Sequence, residues 1–316
     1  QRRQLGVVRV AGRLQPLGVG GGDPQRRVLR VRGHRRGEGG ADVEQGVLHA
    51  DETPIRILAV PKEGRKAGKG WLWTFVPGEK EAIRAVVYHF SDNRAGENAR
   101  GFLDDWKGAL VCDDFGGYKK GFRQGITEVG CMAHARRKFH ELHVTGKSQV
   151  AEQALVLIQK LYAIEAELRK KTDGTAEQRR EYRQQHSQPV MQQLYEWLNQ
   201  HHLTVPSSSP TAKAINYTLK RWPALSRYLD DGNLPICNNW VENQMRPWAL
   251  GRKNWLFAGS LRSGQRAANI MTLIQSAKLN GLDPYAYLSD VLKRLPTHKV
   301  TQIEELLPHC WKPKSN

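Results

Sequence analysis

Val47-Leu48-His49-Ala50-Asp51-Glu52-Thr53-Pro54 is the stretch on which the reading of this chain turns. A short apolar run leads into Asp51, so this acid is expected at the end of a strand. A second stretch repeats the design: Ala109-Leu110-Val111-Cys112 leads into Asp113, followed by Asp114-Phe115-Gly116-Gly117-Tyr118. A carboxylate at a strand end is held rigidly at the sheet edge, where a ligand can approach. Two of them on adjacent strands can share a divalent cation, because Mg2+ takes one or two carboxylates and completes its shell with water and phosphate. Asp also starts turns and caps helices, and these residues by themselves leave both readings open.

Around these two acids the sequence is strand-rich. Thr53 to Val60, Gly70 to Val76, Ala85 to Phe90, Ala109 to Asp113 and Thr127 to Met132 are runs of β-branched, aromatic and apolar residues. Turn clusters such as Pro61-Lys62-Glu63-Gly64 and Pro77-Gly78 separate them. The first three predict a hairpin-linked meander, and a helical stretch near Gly96 to Trp106 precedes the fourth. Strands followed by helices predict an α/β fold of the α+β kind, a mixed sheet with helices packed on it.

Beyond Met132 the pattern turns helical. Ala154, Leu157, Ile158, Leu161, Ile164 and Leu168 repeat at the spacing of one helix face. Thr175-Ala176-Glu177-Gln178 is a capping box, and Ser209-Pro210 an N-cap followed by proline at the first helical position. Residues 139–235 are therefore expected to be all-helical scaffold. After them Glu242 lies in Asn238-Asn239-Trp240-Val241-Glu242-Asn243-Gln244-Met245-Arg246-Pro247. Asn239 with Glu242 fits a capping box, yet a helix-borne Glu facing the sheet could equally be a third metal ligand. Arg246 shares its helix face, and Pro247 limits how far that helix runs without a kink.

Gly251-Arg252-Lys253-Asn254-Trp255-Leu256-Phe257-Ala258-Gly259-Ser260 interleaves basic and aromatic residues. It suits a phosphate-and-stacking surface for DNA, or equally a solvated turn over buried aromatics. Cys131-Met132-Ala133-His134 has C-x-x-H spacing, but no second pair completes the four ligands of a structural zinc site. Cys131 and His134 are expected to pack or orient the active site, with Arg136, Arg137 and Lys138 meeting phosphate.

The chain of 316 residues carries 49 Lys plus Arg against 31 Asp plus Glu, a net charge of +18. That balance favours a phosphate-bearing polymer or an anionic surface as partner. Residues 1–45 hold ten Arg, ten Gly and four acids, without helical or strand periodicity. They read as an unstructured lead-in in preference to a basic arm that wraps nucleic acid. The first residue is Gln, which suggests a fragment. No apolar run approaches the ~18 residues of a membrane span. The four cysteines form no obvious disulfide framework, which fits a reducing cytosol.

Together these motifs resemble a family. His49 to Pro54, Cys112-Asp113 with Tyr118, and Gly130 to Phe139 are similar to the core of bacterial insertion-sequence-66 class transposases of the DDE type. Asn238-Asn239 with Glu242, Arg246-Pro247 and Gly251 to Ser260 resemble the segment around that family's third acid. Ser276 to Tyr285 and Glu304 to Pro308 resemble its C-terminal element. The likeness covers about Val47 to Trp311. It implies a ribonuclease-H-like core in two parts, 46–138 and 236–265, interrupted by the helical insertion 139–235 and followed by a helical element, 266–316. The catalytic and metal-binding triad would be Asp51, Asp113 and Glu242, converging on Mg2+ or Mn2+, two ions in all. The reaction implied is strand cleavage and strand transfer by in-line displacement at phosphorus. The partners implied are transposon-end and target DNA, further copies of the chain and accessory proteins of the same element, in the bacterial cytoplasm at the nucleoid. Arg136, Arg137, Lys138, Arg246, Arg252 and Lys253 would contact the DNA, with Cys131 and His134 supporting the site.

The second acid departs from the family's Asp-Gly-Tyr pattern, since Asp113 is followed by Asp114 and Phe115. Tyr118 keeps the register and favours Asp113. The family's amino-terminal DNA-binding and coiled-coil elements have no counterpart before Val47. Two rival readings are a nuclease without strand transfer and a catalytically inactive DNA-binding remnant.

Overall fold

A computed structural model describes residues 46–58, 68–171 and 174–313. The segment 1–45 and the Pro61 to Gly64 turn lie outside the described residues. The chain divides into two compact units. Of the described residues, one comprises those up to Gly108, Gly116–Ile126 and those from Trp240 onward; the other comprises Ala109–Phe115 and those between Thr127 and Asn239.

In the first unit, β1 (Val47–Ile57), β2 (Gly68–Pro77) and β3 (Val87–Ser91) form the expected antiparallel meander. β1 pairs residue for residue with β2, Asp51 opposite Thr74 and Glu52 opposite Trp73. Asp51 is therefore inside a strand of eleven residues and not at its end. The strand continues past Ala50 because Thr53, Ile55 and Ile57 keep the two-residue alternation, and Pro54, opposite Trp71, withholds only one ladder donor.

α1 (Gly96–Leu103) lays Phe102 flat on Phe75 of β2, ring centroids 3.9 Å apart. A 3-10 turn at Gly116–Tyr118 leads into the short α2 (Lys119–Arg123). Three later helices complete the unit: α8 (Asn239–Trp255), α9 (Leu261–Leu279) and α10 (Pro284–Arg294). α8 runs on past Pro247 to Trp255, so the proline costs one backbone bond without ending the helix. It buries Val241 and Trp248 among Ile55, Ile57, Leu72, Val76, Val86, Tyr88 and Phe90.

α9 covers β3 with a row of small residues four apart. Gly264 lies so close to the Phe90 ring that a Cβ would stand 2.3 Å from it. Further along, Thr272 Oγ1 accepts from the Tyr88 N–H (3.0 Å) and Ser276 Oγ from the Val86 N–H (3.0 Å). These hydroxyls satisfy strand donors that would otherwise offer a pairing edge. α10 starts at Asp283, whose side chain caps the Ala286 N–H ahead of Pro284. Tyr287 and Val291 then pack with Ala277, Ile303 and Leu306 in a second apolar cluster.

In the other unit, β4 (Ala109–Val111) and β5 (Thr127–Val129) pair in parallel. Both strands are shorter than the sequence runs, so Asp113 falls two residues past β4 and Met132 opens a helix. The helices are α3 (Met132–Gly146), α4 (Gln149–Lys171), α5 (Ala176–Thr204), α6 (Pro210–Lys220) and α7 (Trp222–Ser226). The Thr175–Gln178 capping box and the Ser209 cap form as expected.

α4 buries Ala154, Leu157, Ile158, Leu161 and Leu168, but Ile164 is only half-buried and Glu165 takes the core position beside it. Arg183 of α5 explains the exchange. Its guanidinium meets both Glu165 oxygens at 2.8 Å and donates to the carbonyls of Tyr228, Asp231 and Leu234. The mixed α/β content expected from the sequence is thus present, as five strands and a larger set of helices among the described residues.

Candidate functional site

Alternation along β1 puts Asp51 on the same side as Thr53, Ile55 and Ile57, and Glu52 on the other. The Asp51 side is the one α8 covers. Three contacts fix where the helix lies. Near its start, the Trp240 indole donates to Pro77 O (2.9 Å), in the Leu48–Pro77 row of the sheet. The Tyr88 hydroxyl bonds Gln244 O, and Tyr88 belongs to the Asp51–Thr74–Tyr88 row. Toward the helix end, Arg252 donates to Thr53 Oγ1 (2.9 Å) and Pro54 O (3.0 Å). Glu242, between Trp240 and Gln244, is therefore carried over the face of the sheet that bears Asp51.

Both carboxylates are half-buried, and Glu242 Oε1 is shut off from solvent. Asp51 Oδ1 accepts from the Glu52 N–H (2.8 Å). The helix takes Asn239 as its first residue, which puts the cap position on Asn238 and Glu242 fourth in the helix. A capping box needs its acid third.

On the opposite side of β1, Glu52 is fully enclosed. Arg94 donates to its Oε1 through Nε (2.8 Å) and Nη2 (2.5 Å), and the Tyr118 hydroxyl donates to Oε2 (2.9 Å). Arg94 in turn lies 4.7 Å from the Trp71 ring centroid. Glu52 is not among the candidate site residues that the sequence offers. Alternation along the strand is the signal in the sequence that Glu52 points away from Asp51.

The second acid lies in the other unit. Asp113 Oδ1 accepts from the Phe115 N–H (2.9 Å), which fixes the carboxylate just past β4. Its neighbour Asp114 is engaged by scaffold cations: Arg221 Nη1 at 3.4 Å and Lys220 Nζ at 3.7 Å. Arg221, only 3% exposed, also pairs with Glu128. Burial works against its charge, but Glu128 and Asp114 hold it, and the net displacement of its pKa is upward.

Cys131 precedes α3 in extended backbone, and its Sγ accepts from the buried Asn238 N–H (3.1 Å). With Met132 N–H donating to Ile236 O (3.0 Å), it ties the start of α3 to the segment that leads into α8. The Tyr162 hydroxyl is pushed well above its usual pKa by burial and then by Cys237 and Cys131 beside it. Among the described residues no two cysteines form a disulfide. Arg136, Arg137 and Lys138 project from α3 into solvent, Lys138 over the Tyr217 ring at 4.4 Å. Arg246 and Lys253 are exposed on α8, whereas Arg252 is half-buried as the strut to β1.

Among the described residues, no group of three or more His, Cys, Asp or Glu side chains is arranged to hold a metal ion. Asp51, Asp113 and Glu242 nonetheless offer only carboxylate oxygens, the hard donors that Mg2+ and Mn2+ take. No described helix is long and apolar enough to cross a membrane.

Comparison with known proteins adds an independent line. Residues 41–266 match the family described as Transposase IS66 family, and residues 272–309 match the IS66 C-terminal element. Among similar chains from Sinorhizobium fredii (strain NBRC 101917 / NGR234), uncharacterized protein y4hP is 36% identical over 286 residues, covering 84% of this chain and 50% of its own. Uncharacterized protein y4jD is 39% identical over 277 residues, covering 84% of this chain and 53% of its own. The chain thus spans about half the length of the curated relatives it matches. No solved structure matches it.

Proposed function

The chain belongs to the transposase IS66 family, and from that membership we propose that it carries the ribonuclease-H-like catalytic core and the C-terminal element of a DDE transposase. The reaction is metal-dependent DNA strand cleavage followed by strand transfer, an in-line displacement at phosphorus. Asp51, Asp113 and Glu242 would be the acids that hold divalent ions, which when bound would supply Lewis-acid stabilisation of developing negative charge. The observation that carries this reading is the course of α8, which takes Glu242 over the sheet face that bears Asp51.

Each residue then has a stated task. Asp51 is fixed by the pairing of β1, Asp113 by the Phe115 N–H, and Glu242 by the Trp240 and Arg252 anchors on either side of it. Asp114 stays with Arg221 and Lys220. The exposed bases of α3 and α8 grip phosphates, which positions DNA without reading its sequence.

The test uses pre-nicked duplex carrying the ends of the encoding element, with Mg2+ or Mn2+. Glu242→Gln, Asp51→Asn and Asp113→Asn keep shape and remove charge. Each is expected to bind DNA and melt like the parent while losing cleavage and joining by at least about a hundredfold, the scale of lost transition-state charge stabilisation. A Glu242→Gln chain that cleaves like the parent removes the third acid from the triad.

A further inference from the structure

We propose that the turn Trp255-Leu256-Phe257, between α8 and α9, is a binding site for unpaired DNA bases. It would stack on the frayed end of a strand; the inference rests on the DNA-processing reading above. Three consecutive large apolar side chains are exposed here: Trp255 by 39%, Leu256 by 59% and Phe257 by 40%. A folded chain gains by burying such residues, so a run of three left in water marks a surface kept for a partner.

The turn is rigid. Leu256 has φ +64°, a left-handed conformation that a branched side chain adopts only when its surroundings impose it. Those surroundings are visible. Phe257 N–H donates to Trp255 O (2.7 Å), Ala258 N–H to Arg56 O (2.8 Å) and Leu58 N–H to Ala258 O (3.0 Å), pinning the turn to the end of β1. On the other side Arg252 anchors the helix to Thr53 and Pro54. The Trp255 indole stands edge-on to the buried Trp248 at 6.0 Å, and Gly251 leaves it room, since a Cβ there would lie 2.6 Å from Nε1. A strained, multiply anchored turn that presents aromatic faces is suited to stacking.

Charge selects the occupant. From residue 243 to residue 282 the chain has six basic residues (Arg246, Arg252, Lys253, Arg262, Arg266 and Lys278) and no acid. The same stretch of another copy, equally without acids, offers these bases no counter-charge. Nucleic acid supplies both the phosphates for the bases and planar faces for Trp255 and Phe257. A closed duplex hides those faces in its own stack, so the turn prefers nucleotides already unpaired.

The experiment compares two labelled DNA probes of equal length, one blunt and one with several unpaired terminal nucleotides, by fluorescence anisotropy. The parent chain is expected to bind the frayed probe more tightly. Trp255→Ala and Phe257→Ala should each reduce that preference about tenfold, the range of one base–aromatic stack, with binding to blunt duplex little changed. Trp255→Phe should restore most of it. Leu256→Gly accepts the left-handed backbone, so it should raise Tm while lowering the preference, a pairing that a purely structural turn would not produce.

Equal loss on both probes, or no loss on either, overturns the proposal. So does a change confined to sedimentation behaviour, which would assign the turn to protein contacts. All measurements can be repeated in the Glu242→Gln background, so failure of the base site and failure of the catalytic assignment give different results.

Discussion

The helical unit and the α8–α9 turn treat positive charge in opposite ways. In the helical unit Arg183 is spent inside the protein on Glu165 and three carbonyls, and Arg221 on Glu128 and Asp114. At the turn, Arg246 and Lys253 face solvent within a stretch that has no acid at all, beside apolar residues that are equally uncovered. A charge buried without compensation would cost several kcal/mol, so the buried cations come with their partners built in. Exposed cations cost nothing to hold and are at the disposal of a ligand. The contrast separates scaffold cations from the surface proposed to meet DNA, in a chain whose net charge of +18 does not by itself distinguish them.

The sharpest way to break that contrast is Arg183→Met. Removing the guanidinium strands Glu165 in the core of the helical unit and is expected to cost about 3–5 kcal/mol, read as a large fall in Tm. Adding Glu165→Leu should recover most of the loss, because an apolar pair of similar volume can replace a buried ion pair. If the single variant melts like the parent, Arg183 is not the internal clamp described here.

On the exposed side of α8, Arg246→Ala with Lys253→Ala should leave Tm almost unchanged. The slope of log affinity for DNA against log salt should fall by about two, since each lost phosphate contact removes about 0.9. Arg252 is the wrong residue for that comparison, because its strut to β1 mixes a stability effect into the result. An unchanged slope would take α8 out of the DNA interface.

The smallest effect is expected at His309. Burial lowers its pKa from the usual 6.5, with Glu304 opposing. The folded chain therefore prefers the neutral ring, and the unfolded chain takes up a proton first. Stability contributed by this residue is complete above pH 6.5 and declines as pH falls through the lowered folded pKa. Melting between pH 7.5 and 5.5 should show a decline that His309→Gln lessens; identical profiles would refute the assignment.

What the sequence disclosed and what it hid follow the reach of each signal. The meander was legible because Gly70 to Val76 and Ala85 to Phe90 carry strand residues between clear turns, and the Thr175 and Ser209 caps because their partners lie three residues away. The apolar run ends at Ala50 and so points to a strand end at Asp51; only the pairing of Thr53 to Ile57 with β2 reveals that the strand goes on. Glu165 was passed over for Ile164 because its partner is 18 residues distant. Glu52 and Asp51 differ by one position and hence by one side of the sheet, a distinction that depends on what covers each side. Tyr118 keeps the family register after Asp113 in the sequence, whereas its hydrogen bond runs to Glu52.

The hydroxyls that α9 lends to β3 have a consequence in time. Tyr88 and Thr272 are separated by 184 residues of chain. At synthesis rates of about 5–20 residues per second, roughly 10–40 s pass between the moment β3 is made and the moment its cover arrives. Throughout that interval the nascent meander has a strand whose outward amides are open to any other extended chain. The hazard belongs to birth and not to the finished molecule, and a chain that stalls before Leu261 would be left with it permanently.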